Sequence, residues 1–366
     1  MATSLKNQPI FLVGSPRSGT SILTWCLGQH SNILVQEESD WMGRFAVDVG
    51  VAYEIGTRRG PRSQLSAIGL LREEFFLRFG ETINELLIGH RQQFEKRAWV
   101  HATTADRSET QAAFQIARSP SDPKQRWVDG SPENSLYICG LRKLFPDAVF
   151  IHLVRDVGSV VRSLLNFSRT GGPAAVENEQ QAYQYWLQTV RPCFQAERAY
   201  GSEVVRRLEY SDLINDPETT IRRLSSFLKE AYEPACLEPL QTRINSSNVP
   251  PDFKSSDPAT NPAVIAEAGT LEDELKQNPG PFEPSPALSY ELERMFEERI
   301  RHTWTMGPNF RKSLQRITEL ERELEEFKTR LSSVMKNSGQ CNLPAKDPAL
   351  FQTRLRRALG RLRPKR

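Results

Sequence analysis

Long apolar runs are missing from this chain. Across its 366 residues no stretch approaches the roughly 20 hydrophobic residues that span a bilayer, and residues 1–9 lack the apolar centre of a signal peptide, so a cytoplasmic location is the expectation. Cysteine is sparse and unpatterned. Cys26, Cys139, Cys193, Cys236 and Cys341 are odd in number, scattered, and form no C-x-x-C pair, which argues against a disulfide framework or a zinc site and for reduced thiols. Charge of one sign is not in excess either. A net charge of +3, from 48 Lys and Arg against 45 Asp and Glu, is too weak to mark nucleic acid as the main partner. What remains is a globular composition long enough for one large domain or two ordinary ones.

A further absence sits inside the most informative stretch. Apolar residues 10–13 lead into Gly14-x-x-x-x-Gly19 and the hydroxyls of Thr20 and Ser21. That is the form of a strand, a tight turn and a helix start whose backbone N–H groups wrap a phosphate. The ATP and GTP version needs a lysine directly after the second glycine, to reach the outer phosphates. Here Thr20 stands in that place, and the cation, Arg17, lies within the turn. Pro16, Arg17, Ser18, Gly19, Thr20 and Ser21 therefore read as a phosphate loop not built for a magnesium triphosphate, and a P-loop kinase is the less favoured reading.

Residues 21–29 read as a short helix broken at His30-Ser-Asn32. Residues 33–35 read as a second buried strand that delivers Gln36-Glu-Glu-Ser-Asp40 at its C-terminal end, where open α/β sheets carry ligand residues. Glu37 and Glu38 point to opposite sides of an extended chain, so one of them faces the site. Residues 41–125 form a mostly helical insertion with a break at 56–61. It reads either as an acceptor-side wall or lid, or as a packed helical layer without ligand contact. The nearly continuous apolar run 148–154 predicts a central parallel strand. It ends in Arg155-Asp156 and enters a helix carrying Val160, Val161, Ser163, Leu164 and Leu165.

A helix follows at 179–200 and a strand at 204–210, with Ser211-Asp212 and Asp216-Pro217-Glu218 read as helix-starting caps. Residues 245–286, rich in Pro, Ser and Asn, read as a long irregular connection, and helix resumes at 290–300. Ile317, Leu320, Leu324, Phe327, Leu331 and Val334 step by three and four, which predicts a short coiled coil, and with it a homodimer, or a docking helix over 310–336. Residues 337–366 are a basic amphipathic tail, read as a peripheral contact to an anionic membrane, a contact to a polyanionic substrate, or a solvated tail. The alternation of strands and helices predicts an α/β domain over 1–305 with a doubly wound, mainly parallel central sheet.

Two of these segments together resemble a family. Phe11-Leu-Val-Gly-Ser-Pro-Arg-Ser-Gly-Thr-Ser21 is similar to the 5′-phosphosulfate loop of the sulfotransferases that use 3′-phosphoadenosine 5′-phosphosulfate (PAPS), and Phe150-Ile-His-Leu-Val-Arg-Asp-Val-Gly-Ser-Val-Val-Arg-Ser163 is similar to their 3′-phosphate motif. A third segment, around Tyr210, resembles one in which the tyrosine lies near the nucleotide. The resemblance covers about residues 9–230, on the branch that includes the tyrosylprotein and bacterial enzymes. It implies PAPS as co-substrate, PAP as product and no metal. Arg155, Ser163 and Tyr210 join the loop as nucleotide-binding residues, and Arg17 stabilises the leaving phosphate.

That branch carries Glu-Glu-Thr where this chain has Gln36-Glu-Glu-Ser39, which implies Glu38 as the base that takes the acceptor proton and leaves Glu37 structural. His30 ranks second as base, His101 and His152 are scattered, and His152 inside an apolar strand reads as a core residue. Many relatives have Asp-Lys-[Ser/Thr]-Pro where this chain has Asp129-Gly-Ser-Pro132, so the lysine that assists the leaving phosphate is missing. The acceptor is expected to be a hydroxyl, on a carbohydrate or a lipid-linked group. The alternative from a different class is a PAP-binding scaffold without catalysis.

Overall fold

The computed structural model describes residues 8–36, 38–90, 122–169, 176–241 and 256–338. Glu37, His101, residues 91–121 of the helical insertion and the tail beyond 338 lie outside them. The chain divides into two units, residues 1–304 and 305–366.

The elements in order are β1 (Ile10–Gly14), α1 (Thr20–Gly28), β2 (Ile33–Gln36), α2 (Trp41–Thr57), α3 (Gln64–Ala67), α4 (Arg72–Gly89), β3 (Arg126–Asp129), α5 (Ile138–Leu144), β4 (Val149–Val154) and α6 (Val157–Arg169). They continue with α7 (Glu179–Tyr200), β5 (Val205–Glu209), α8 (Tyr210–Asn215), α9 (Pro217–Leu228), α10 (Pro262–Gln277) and α11 (Pro286–Ser338). The strands form one parallel sheet in the order β2-β3-β1-β4-β5, with Ile10 opposite both Val128 and Val149. The fold class is α/β, as the alternation of strands and helices predicts.

β1 is apolar throughout because both of its faces are covered. Phe11 and Val13 point to a layer holding Met42 of α2, Phe76 of α4 and Leu141 of α5. Ile10 and Leu12 point to the opposite layer, with Leu23 and Leu27 of α1 and Leu224 and Leu228 of α9. Phe11 meets Trp127 edge to face at 5.3 Å. Each such fully buried side chain is worth about 1.5–3 kcal/mol, so the strand carrying the phosphate loop is among the most firmly held parts of the chain. A third cluster joins Val160 and Leu164 of α6 to Trp186 and Val190 of α7 and Leu271 and Leu275 of α10.

Two sequence readings are corrected and one strand was missed. The connection 245–286 contains a helix, α10: Asn261 caps it by accepting from Ala263 N at 3.0 Å, and Pro262 opens its first turn. Proline there starts a helix instead of breaking one. Ser211 and Asp212 are not caps but lie inside α8, which runs straight out of β5. Strand β3 was not anticipated, because it is four residues long and begins with a charge. Arg126 is fully buried and bonds Gln8 O (2.9 Å), Leu228 O (2.7 Å) and the Glu230 carboxylate (3.0 Å), so its charge is compensated inside. No helix among the described residues is long and apolar enough to cross a membrane.

Candidate active site

From β1 the chain crosses towards the β2 side of the sheet, and from β4 towards the β5 side. β1 and β4 are neighbours, so a crevice opens between their C-terminal ends, the place where parallel sheets bind ligands. The 15–19 loop lies there. Ser18 N closes a tight turn onto Ser15 O at 3.1 Å, and both Arg17 (φ 70°) and Gly19 (φ 104°) take the left-handed conformation. Glycine is required at 19 on two counts, since a Cβ would also lie 2.6 Å from the Tyr210 ring. Arg17 has no such freedom. Its backbone holds strain of order 1–3 kcal/mol, of the kind kept at ligand sites. The Ser135 hydroxyl accepts from Gly14 N at 2.8 Å and donates to Gly14 O at 3.0 Å, pinning the strand end beneath the loop.

Two guanidinium groups meet at this loop. Arg17 Nε donates to Ser163 Oγ at 3.1 Å, and its plane lies 4.8 Å above the Phe167 ring. Arg155 Nη1 donates to Arg17 O at 3.0 Å and lies 4.5 Å over Tyr210. Burial, and then the like charge of Arg155, lower the proton affinity of Arg17, and the charge on Glu38 opposes this. Two cations held this close favour an anion between them. The Ser15 and Ser18 hydroxyls are buried at the same loop with no hydrogen-bond partner among the described residues. Donors left over in this way suit a phosphate-like ligand.

On the other flank Ser21 Oγ donates to Glu38 Oε1 at 2.5 Å. Glu38 has its proton affinity raised, chiefly by the loss of solvation among its neighbours and then by the charge of Glu133. The Ser21 bond and Arg17 pull the other way. Glu38 keeps solvent access at the rim of the crevice, so water limits the shift.

The segment carrying Glu38 is clamped in place. Ser131 Oγ accepts from Ser39 N at 2.7 Å and donates to Ser39 O at 2.8 Å, while Ser131 N donates to Asp129 Oδ1 at 2.8 Å. Burial pushes the Asp129 carboxyl up to about 6, against its bonds to Ser131. Glu133, one turn further on, accepts the Tyr185 hydroxyl at 2.8 Å.

The structure thus gathers Arg17, Ser18, Gly19, Ser21, Glu38, Arg155, Ser163 and Tyr210 in one crevice, with Pro16 in the same turn. Thr20 is buried at the first position of α1, where its carbonyl accepts the Thr24 hydroxyl at 2.9 Å. Sequence reasoning missed Ser15, Ser131, Glu133, Phe167 and Tyr185. Only Phe167, one helical turn after Ser163, had a local signal.

The rival residues lie elsewhere. His30 sits at the C-terminal end of α1, opposite the loop, with Nε2 2.8 Å from Ala231 O and Nδ1 accepting from Asn32 N at 3.0 Å. His152 is buried in β4 with Nδ1 2.5 Å from Glu197, which also pairs with Arg207. Lys124 does not replace the missing lysine, because its ammonium donates to Gly28 O, His30 O and Ile33 O, again at the far end of α1. At Gly130 a Cβ would lie 2.0 Å from Thr24 Oγ1, so the space of any side chain there is already taken. Among the described residues no group of three or more His, Cys, Asp or Glu could hold a metal.

The crevice thus combines a parallel α/β sheet, a tight loop with no lysine after its second glycine, paired guanidiniums at the switch point and a carboxylate on the hydroxyl of Ser21. Residues 9–234 match the model of the sulfotransferase family, and the chain belongs to that family. A putative protein-tyrosine sulfotransferase of Caenorhabditis briggsae is 23% identical over 62% of this chain and 66% of its own length. Protein-tyrosine sulfotransferase A of Caenorhabditis elegans is 21% identical over 73% of this chain and 62% of its own. The chain therefore spans less than two thirds of the length of either curated relative. Among solved structures, the sulfotransferase domain of the Synechococcus PCC 7002 olefin synthase aligns over 74% of this chain and 98% of that one at 21% identity, with a TM-score of 0.41 too low to carry an inference.

Proposed function

We propose that this chain transfers a sulfonate group from PAPS to a hydroxyl acceptor and releases PAP. The observation that carries the reading is the 2.5 Å bond from Ser21, on the first turn of α1, to Glu38. It sets a carboxylate of raised proton affinity beside the anion-binding loop. The residues present fit the donor: the buried Ser15 and Ser18 hydroxyls lack partners among the described residues, and Arg17 and Arg155 converge beside them.

When bound, PAPS supplies the activated sulfonate and the phosphate that leaves. The chain's residues divide the remaining work. Arg155 and Ser163 hold the 3′-phosphate and Tyr210 flanks the nucleotide. The N–H groups of residues 19–21 and the Arg17 guanidinium would stabilise the charge that builds on the leaving phosphate oxygen, the Ser18 N–H being held by Ser15 O. Glu38 accepts the acceptor's hydroxyl proton, and Ser131 and Ser21 hold it in place.

For the acceptor we favour a carbohydrate or lipid-linked hydroxyl, on the strength of the basic tail. The protein-tyrosine acceptors named for the relatives belong in the same panel. Gly130 favours one second reading, a PAP-binding scaffold without turnover. The test combines PAP calorimetry with transfer from labelled PAPS to tyrosine peptides, glycans and lipid-linked alcohols. Absence of PAP binding overturns both readings. Tight PAP binding with no transfer, unaltered by Glu38→Ala, selects the scaffold.

A further inference from the structure

Helix α11 is 53 residues long, and much of the apolar surface on its C-terminal part is bare. Ile317, Leu320 and Leu324 are 50%, 46% and 53% exposed, and Phe327 is half-buried. Their spacing is that of alternating a and d positions of a heptad, which Leu331 and Val334 extend in the sequence to about three heptads. A stripe of this period on one helix face is what a second helix of the same period covers by knobs-into-holes packing.

The flanking charges say which partner. With Ile317 at a, the g positions are Arg316 and Glu323 and the e positions are Glu321 and Lys328. In a parallel pair of identical helices each g residue faces the e residue of the partner's following heptad. Arg316 then faces Glu321, and Glu323 faces Lys328, so both contacts join opposite charges. If the two copies run antiparallel with Leu324 against Phe327, Glu321 faces Lys328, which is again attractive. Without a partner these groups make only local pairs: Arg316 to Glu319 at 3.0 Å and to Glu323 at 3.6 Å, and Lys328 to Glu325 at 2.6 Å. These pairs are more than half exposed and hold the side chains weakly, so they yield readily to pairs across the seam.

We propose that the surface formed by Ile317, Leu320, Leu324 and Phe327 is a dimerisation seam that docks on the same segment of a second copy of this chain. The seam does not depend on the proposed activity. It lies within the 305–366 unit, whereas the crevice lies within the 1–304 unit.

The test is sedimentation velocity on the full chain across the micromolar range. A concentration-dependent dimer is expected. Leu320→Glu with Leu324→Glu should weaken it at least about 100-fold, since each change removes apolar burial on both copies and adds like charges in the seam. At dilutions where the parent is monomeric, helix content by circular dichroism and thermal midpoint should match the parent's, because both positions are exposed in the single chain. A second set guards against misfolding. One chain carries Glu321→Lys and Glu323→Lys, the other Arg316→Glu and Lys328→Glu. Each should be monomeric alone, and the two mixed should form a heterodimer. A monomer at every concentration, a dimer that survives the double leucine variant, or charge variants that fail to pair selectively would overturn the proposal. So would a monomer that binds only a different protein through this stripe.

Discussion

Replacing Gly130 by alanine adds one methyl group where Thr24 Oγ1 would be 2.0 Å away and Thr24 Cβ 3.2 Å away. Thr24 cannot swing clear without cost: it is 3% exposed, and its hydroxyl donates to Thr20 O at 2.9 Å within the first turn behind the phosphate loop. Overpacking of this kind costs about 1–3 kcal/mol. Rotating the hydroxyl away instead forfeits a hydrogen bond of about 0.5–1.5 kcal/mol, so both routes lead to a loss of at least about 0.5 kcal/mol. In a Thr24→Ala background the nearest atom of residue 24 is the Cβ at 3.2 Å, which a small shift accommodates. Most of the penalty should then vanish, a coupling of about 1–2 kcal/mol between the two sites. Urea unfolding of the four proteins of the cycle, followed by tryptophan fluorescence and far-UV circular dichroism, measures it. A Gly130→Ala protein within about 0.5 kcal/mol of the parent, or an equal loss in both backgrounds, would refute the steric argument.

Glu38 must be ionised to accept a proton, and its proton affinity is raised, so kcat/KM should fall as pH drops through a value above the usual carboxylate range. Glu38→Gln should lower kcat by about 10²–10⁴-fold while PAP still binds. Tyr185→Phe removes the donor that tempers Glu133 and should move the acid limb to higher pH, and Glu133→Gln should move it lower; an unmoved limb would show that Glu133 does not act on the base. Arg155→Ala with Ser163→Ala should weaken PAP binding by at least about 10-fold, and an unchanged affinity in calorimetry would remove the two-phosphate reading. Asp129 is raised from 3.8 to about 6 in the folded state, so its stabilising contribution is complete below pH 3.8 and is lost as pH rises through 6. Asp129→Asn should therefore gain on the parent by up to about 3 kcal/mol at pH 7 and by little at pH 4, and a pH-independent difference in unfolding free energy would refute this.

What could be read from the sequence was local. The loop, Arg155 and Ser163 each sit within one strand–turn–helix unit, where apolar runs, glycines and spacing report directly on structure. The clamp on Glu38 could not be read, because Ser131 bonds Ser39 across 92 positions, and Tyr185 reaches Glu133 across 52. Serine and tyrosine are common enough that nothing in their spacing marks a contact between distant elements. Gly130 looked like a loss until Thr24 was seen in the space a side chain would need, a fact of packing between β3 and α1. Helix α10 was misread because the Pro, Ser and Asn content of 245–286 reads as irregular, whereas Pro262 directly follows a capping Asn261 and opens a helix.

The crevice separates into two halves held by different parts of the fold, and this decides how the missing lysine should be understood. The cationic half, Arg17 with Arg155 and Ser163, is fixed by the β1 and β4 turns and by stacking on Phe167 and Tyr210. The acidic half, Glu38 with Asp129 and Glu133, is fixed by β3, Ser131 and Tyr185. Position 130 lies within the acidic half. A cation placed among these carboxylates would lower the proton affinity of Glu38 and Asp129. With glycine there, burial raises the proton affinity of Glu38 and Asp129, and the charge of Glu133 on Glu38 and of Glu38 on Asp129 adds to it. On the proposed reading, a site without that lysine has one cation fewer near the leaving phosphate, and stabilisation of the leaving group would fall to Arg17, whose guanidinium is stacked on Phe167 at the loop. Arg17→Ala should on this reasoning lower kcat more than it lowers PAP affinity, whereas an equal loss in both would make Arg17 a binding residue alone.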